Sequence, residues 1–539
     1  MPSSSSASHL LSKRFSFDRI NQFHFKDKFY QLEHEKLASF YRFEPTIQGL
    51  LQAAEIRKSY QPDRTLLVEV LSNHYDGVKL HDLQEYNLRK LPDVSTFTIV
   101  TAHQPALFTG PAYYIYKIIS TVRLCEELKT ASPEQDFVPV FINGAEDQDF
   151  DEVKSTLLFH KEVVWETQQH GAVGRYALDG LEEAFRKFSE ILGNGESAKI
   201  ISDYIDHALK DSHTYNDFVF KFINRIFGSF GLLVLNMDDA RLKKAFIPVM
   251  EKELTESVSE SLVLETQQAL QKLDFKPQAH PREINLFYFT ENGGRERIVK
   301  EGDMYSILHT DMKLTRAGLV SLLHHYPERF SPNVITRPLY QEFILPNIAY
   351  IGGGGELAYW LERKSQFEAF NIFFPCLIRR NSVLVVPKTI QKTLDKLDIR
   401  LEDLFEDEQL LLQKYVYTKA ETSTETIEEQ KALMEIISKL EHKASLIDPT
   451  LIPFVAAEGA RMIKSMEHME QKFHKSVRQK EENTINQIRR LREKLFPANG
   501  LQERKENFLQ FAALEGLELL DELRIHLNPL DKSFVVLFL

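Results

Sequence analysis

Two β-branched runs with a helical stretch between them, from Phe97 to Val153, constrain this chain more than any other feature. The first run, Phe97-Thr98-Ile99-Val100-Thr101, reads as a buried strand. It empties into His103-Gln104-Pro105 and Leu107-Phe108-Thr109-Gly110-Pro111. A helix follows, marked by Ile115, Ile118, Ile119, Val122 and Leu128 at spacings of three and four. The second run, Phe137 to Ile142, leads into Asn143-Gly144-Ala145-Glu146-Asp147-Gln148-Asp149. This is a strand, loop, helix and strand with polar residues at both strand C-terminal ends. Open parallel sheets take their ligands at that edge, so the active site is expected here.

A chain of 539 residues is too long for a single core and should divide into two or three parts. Its formal net charge of −12 argues against general nucleic-acid binding, which needs a basic footprint. Two cysteines, Cys125 and Cys376, build neither a disulfide framework nor a multi-thiolate zinc site, and are expected as packing residues in a reducing cytosol. The Ser-rich start, residues 1–14, lacks the apolar core of a secretion signal, and no stretch has the length of a membrane span. A cytoplasmic protein without membrane or nucleic-acid partners is expected.

The pattern predicts four parts: a helical N-terminal segment packed on the core (1–96), an α/β core with connecting insertions at about 154–335 (97–388), a helical arm (389–497), and a C-terminal segment that docks on the core (498–539). Within the insertions a hairpin is expected, Ile284–Thr290 with Arg295–Val299, turning at Asn292-Gly293-Gly294. In the arm, Leu433, Ile437, Leu440, Ala444 and Ile447 form one apolar seam. Met462, Met466, Met469, Phe473, Val477, Thr484, Ile488, Leu491 and Leu495 form another, which Lys480 interrupts. Pro449 and Pro453 break the helix between them, so the arm is expected to be an antiparallel coiled coil with its Met and aromatic stripe as core.

Several residues carry candidate chemistry. His103 after its strand suits acid–base work or donation to a phosphate, or else is a loop imidazole bonded to backbone. Thr109-Gly110 before the helix resembles an anion-binding helix start, without the pattern of a Walker loop. Glu146, Asp147 and Asp149 could hold an amine, orient hydroxyls or bind Mg²⁺, whereas Asp151 and Glu152 read as ordinary helix-start acids. The run Gly352-Gly353-Gly354-Gly355 before Glu356 costs backbone entropy, and close approach to a ligand phosphate or carboxylate would explain it. Arg379 and Arg380 end the last core strand, where a guanidinium could balance pyrophosphate. No His/Cys cluster has zinc spacing.

Taken together, these motifs resemble the bacillithiol biosynthesis cysteine-adding enzyme family. The matching text runs in order through Thr101-Ala-His-Gln, Leu107-Phe-Thr-Gly-Pro, Tyr116-Lys117, Glu146-Asp147-x-Asp149-Phe150, Arg295-Glu-Arg, Arg329-Phe-Ser-Pro-Asn333, Arg337-Pro-Leu-Tyr-Gln341, Ala349-Tyr-Ile-Gly-Gly, Gly355-Glu-x-Ala-Tyr-Trp360, Arg380-Asn-Ser and Leu501-Gln-Glu-Arg. Ala102 and Gln148 depart from the family's pattern, which carries Gly and His at these places in many members.

The resemblance implies an α/β fold with a Rossmann-like core of the nucleotidyltransferase type, similar to class I aminoacyl-tRNA synthetases. It also implies a coiled-coil arm supporting a homodimer, and ligation of cysteine to the amine of glucosaminyl-malate to give bacillithiol. Activation of the cysteine carboxyl would use ATP with Mg²⁺. His103, Asp147 and Asp149 would then be catalytic. Gln104, Thr109, Gly110, Tyr113, Asn143 and Glu146 would bind substrate, and Gly352 to Gly355, Glu356, Arg380 and Ser382 the nucleotide. No resident metal is expected. Two other readings stay open: a nucleotidyltransferase-like enzyme acting on another amine, and a non-catalytic nucleotide-binding scaffold.

Overall fold

The computed structural model describes residues 10–417 and 425–539, so the first nine residues of the Ser-rich start and residues 418–424 of the arm lie outside it. The described residues form two compact units, one from residues 10–18, 23–385 and 501–539, the other from residues 19–22, 386–417 and 425–500.

The first unit is built on five parallel strands: β1 (Thr96–His103), β2 (Asp136–Asn143), β3 (Leu233–Asn236), β4 (Asn347–Gly352) and β5 (Cys376–Arg379). Their order across the sheet is β5-β4-β1-β2-β3, the Rossmann-like order expected from the resemblance. Every residue of β2, β4 and β5 is buried, because a parallel sheet is covered on both faces and selects near-continuous apolar runs. Helix α1 (Tyr113–Ala131) connects β1 to β2. Its Tyr114, Ile115, Ile118 and Ile119 pack with Val100, Val140 and Phe141 on one face. Leu50, Ala53 and Ala54 of the helix Ile47–Arg57 meet Ile99, Ile351 and Ile378 on the other. Cys125 and Cys376 are buried and unbridged.

Two insertions interrupt this sheet. Between β2 and β3 lie a short hairpin (Ser155–Leu158 with Lys161–Val164) and three helices, Leu181–Leu192, Glu196–Lys210 and Tyr215–Phe227. Between β3 and β4 lies an antiparallel five-stranded sheet. It includes the expected hairpin, Leu286–Phe289 with Arg295–Glu301, whose turn places Gly293 at φ +81°.

The chain ends hold a feature that sequence reading missed. Leu11–Ser16, within the segment expected to be helical, is a strand paired antiparallel with Ser533–Phe538, with Phe15 opposite Phe534. Its alternation is too short to stand out, and only the distant partner makes it a strand.

In the second unit, helices Ile427–Ile447 and Ile452–Lys480 fold back on each other around Pro449–Leu451. Gly459 lies against Ile437, where a Cβ would come within 2.7 Å of the side chain, and Thr426 bonds Glu470 at 2.7 Å. Both pairs belong to one antiparallel register. The expectation that the Met and aromatic stripe is core fails here: Met462, Met469 and Phe473 are 48%, 46% and 48% exposed. A two-helix hairpin buries only one seam, and these residues fall outside it. Past the break at Glu481, the helix Glu482–Leu495 does bury Ile488, Leu491 and Leu495.

Candidate active site

The strand order reverses between β1 and β4, and the crevice outside their C-terminal ends is where such a sheet binds ligands. A cleft of about 500 Å³ opens there. His103 and Gln104 leave β1, Gly144 and Asp147 follow β2, Gly353 to Gly355 follow β4, and Arg380 follows β5. Tyr113, Arg337, Tyr350 and Arg504 complete the walls the chemistry needs.

His103 is neutral and its tautomer is set by its neighbours. Nδ1 lies 2.9 Å from the Gln104 carbonyl, which only accepts, so Nδ1 carries the proton. Nε2 therefore accepts from the Tyr113 hydroxyl at 3.0 Å. Burial and the nearby Lys117 ammonium push the imidazole down to about 4. Arg380 stacks over the Tyr113 ring, 5.0 Å from its centroid.

The glycine run forms the start of helix α2 (Gly354–Leu361), with Gly353 as its N-cap. None of the four glycines has positive φ, so strain does not explain them. At Gly354 a Cβ would overlap Asp27 Oδ1, whereas at Gly355 it would meet open space facing the cleft. The expected close approach is thus made in part by Asp27, a residue of the protein itself. Gly352 ends β4 and does not line the cleft.

Glu356 accepts from the Gly353 N–H at 2.8 Å, from Lys117 Nζ at 2.7 Å and from the Tyr350 hydroxyl at 3.2 Å. Burial opposes its ionisation, but Lys117 and the Gly353 N–H outweigh burial and hold the carboxyl below its usual range. With Gly353 capped, the next N–H groups of the first turn have no partner within the helix and carry its positive dipole end.

Arg380 is 3% exposed and bonds Glu503 at 2.8 Å, while its Nε has no partner among the described residues. That Nε lies 3.7 Å from the position of a Cβ on Gly353. Arg504 reaches the same corner and bonds Asp27 Oδ2 at 2.9 Å, and Arg379 holds Asp27 Oδ1 at 2.7 Å. This corner can take an anionic oxygen group.

Asp147 lines the same cleft. Gln104 donates to it at 3.2 Å and to Glu152 at 2.8 Å, and Arg337 stands 3.8 Å away. Burial raises the Asp147 carboxyl, but Arg337, the Asp149 N–H and Arg295 bring it below the normal range. It is an ionised group suited to holding an ammonium. Glu152, read as a helix-start acid, proves to anchor Gln104.

The structure does not bring every expected residue together. Thr109 is buried and, like Gly110, sits behind the cleft in a left-handed turn (φ +72° and +57°), while the Ala112 N–H donates to the Glu506 carbonyl. Neither residue lines the cleft, and the N–H of Ala112 just before α1 already has a backbone partner. Asn143 bonds Asn216 at 2.9 Å, and Glu146 pairs with buried Lys243 at 2.5 Å. Asp149 and Gln148 border outer lobes. Ser382 lies behind Arg380, bonded to Glu503 at 3.0 Å.

Sequence reasoning quoted Lys117, Arg337, Tyr350 and Arg504 within the family text but gave none of them a role in the site. Lys117 did carry a signal, a lone lysine inside the apolar face between Ile115 and Ile118. Arg504 stood only at the end of the family text Leu501-Gln-Glu-Arg.

Two family models match the chain. One, described as bacillithiol biosynthesis BshC, N-terminal Rossmann-like domain, covers residues 16–381. The other, the C-terminal coiled-coil domain of BshC, covers residues 383–539. The chain belongs to the BshC family. Relatives bearing the name "Putative cysteine ligase BshC" include that of Christiangramia forsetii, 37% identical over 94% of this chain and 95% of that protein. Those of Flavobacterium johnsoniae (36%; 94% and 95%) and Cytophaga hutchinsonii (35%; 93% and 94%) are similar over comparable lengths. No helix among the described residues is long and apolar enough to cross a membrane.

Proposed function

We propose that this BshC-family chain is a ligase of bacillithiol biosynthesis that joins the carboxyl of cysteine to the amine of glucosaminyl-malate. The observation that carries the reading is the presence, in one switch-point cleft, of an anion corner (Gly354, Gly355, Arg380, Arg504) and the ionised Asp147. A carboxylate is a poor acyl donor. Attack of the cysteine carboxylate on the α-phosphorus of ATP would give a cysteinyl adenylate and release pyrophosphate into the anion corner. The acceptor amine then attacks the activated carbonyl, forms the amide and expels AMP. Mg²⁺ would arrive on the ATP phosphates.

In this scheme Asp147 holds the cysteine ammonium, and its depressed affinity for protons makes it a poor base. Neutral His103, with Tyr113 donating to its Nε2, orients a polar edge of the cleft and contributes no positive charge. The half-exposed apolar residues of the arm, Met462, Met469 and Phe473, support a homodimer formed through the second unit.

Mass spectrometry of the protein with cysteine and glucosaminyl-malate, with and without ATP and Mg²⁺, tests the reaction. ATP-dependent cysteinyl product and AMP are expected. Product without ATP overturns adenylation, and no product from folded protein overturns the ligase reading.

A further inference from the structure

The cleft continues past Asp147. Asp147 and Arg337 line it and also line a second lobe of about 520 Å³, bounded by His280, Arg282, Arg295 and Asn333. Arg337 makes one long ion pair, to Asp147 at 3.8 Å, and no side-chain hydrogen bond among the described residues. Arg295 is held rigidly: Nε donates to Ser331 Oγ at 2.9 Å, Nη2 donates to the Pro332 carbonyl at 3.0 Å, and the guanidinium lies 4.1 Å from the Phe287 ring centroid. Those bonding partners are neutral. Burial brings Arg295 down to about 10, which leaves it charged at neutral pH. Arg282 is exposed, and its guanidinium has no partner among the described residues. Three guanidiniums thus face two carboxylates, Asp147 and Asp149, in a lobe large enough for several heavy atoms.

We propose that this lobe binds a carboxylate-bearing group, with Arg295 and Arg282 as its partners and Arg337 at the junction with the main cleft. A planar guanidinium matches a carboxylate through two parallel N–H bonds. An acceptor whose amine meets the activated carboxyl of a cysteine held at Asp147, and whose carboxylates hang from the neighbouring ring carbon, reaches from one lobe into the other. The inference rests on the ligase reading in one respect, that these carboxylates are those of the acceptor's malyl end.

Isothermal titration of the full-length protein with L-malate tests it, with inorganic phosphate as a second probe and ATP as a control for the main cleft. Wild type is expected to bind malate in about the millimolar range, more tightly than phosphate. Arg295→Gln and Arg282→Gln should each weaken malate about ten- to hundred-fold and leave ATP affinity unchanged. Arg295 also supports its own strand pair, so the exposed Arg282→Gln keeps the test clear of misfolding. Wild-type malate affinity in both folded variants, or equal binding of phosphate, overturns the proposal. Malate binding that the variants lose, in a protein that makes no cysteinyl product, would sustain the lobe and remove the ligase reading. Ligation of glucosaminyl-malate with an unchanged KM in both variants would do the reverse.

Discussion

The Lys117–Glu356 pair offers a quantitative test of how the cleft is held together. Lys117 is fully buried near the start of α1, and among the described residues its Nζ bonds the Ala102 carbonyl and Glu356. Lys117→Met removes the cation and leaves a carboxylate, 30% exposed to the cleft, with one N–H and one phenol. Breaking a fully buried pair from one side costs about 3–5 kcal/mol, and solvent in the cleft brings the cost of Lys117→Met below that range. Glu356→Gln leaves the ammonium buried against a neutral amide, with a cost of the same order. In Lys117→Met/Glu356→Gln neither uncompensated charge remains, so the double variant should be more stable than the summed single costs by about 1–3 kcal/mol.

Tryptophan fluorescence during urea unfolding is the assay. Both tryptophans, Trp165 and Trp360, lie in the first unit, so the signal reports the domain that contains the pair. Strict additivity of the two single costs would refute the claim that these side chains stabilise each other.

Other outcomes follow from the same geometry. Gly354→Ala should lower the melting temperature, because its methyl meets Asp27, whereas Gly355→Ala should leave melting unchanged and weaken ATP binding by intruding on the cleft; calorimetry with ATP titration separates them, and equal melting losses would refute the distinction. His103 should make stability pH-dependent. The unfolded imidazole takes a proton near 6.5 that the folded one refuses until about 4, so stability is full above 6.5 and declines as pH falls towards 4. His103→Gln should flatten that slope in chemical unfolding at stepped pH, and an unchanged slope would clear His103 of the effect. Met469→Asp with Phe473→Asp should convert a dimer to monomer in sedimentation while helix content by circular dichroism persists; a retained dimer would place the interface elsewhere.

The sheet was legible because its information is local. Phe97–Val100 and Phe137–Ile142 are buried on both faces and so read as continuous apolar runs, and the loops that follow them hold His103 and Asp147, which do meet in the cleft. The hairpin at Gly293 was legible for the same reason, since its turn residues state the backbone they need. Residues of one loop nevertheless parted company. Asp147 faces the cleft while Asp149, two positions on, borders the outer lobes, because an irregular loop has no period from which side-chain direction can be read.

What the sequence determined by itself was therefore the identity of the strands and helices, the edge of the sheet that carries the chemistry, and the family text that runs along it. Tertiary structure alone decided which charges meet. Asp27 and Arg504 come from opposite ends of the chain, Arg379 from β5, and Lys117 and Glu356 from two different crossovers, to shape one corner. Periodicity is set within a few residues by backbone geometry. The pairing of buried charges is set by burial, which makes each ion costly until a partner arrives from wherever the fold brings one.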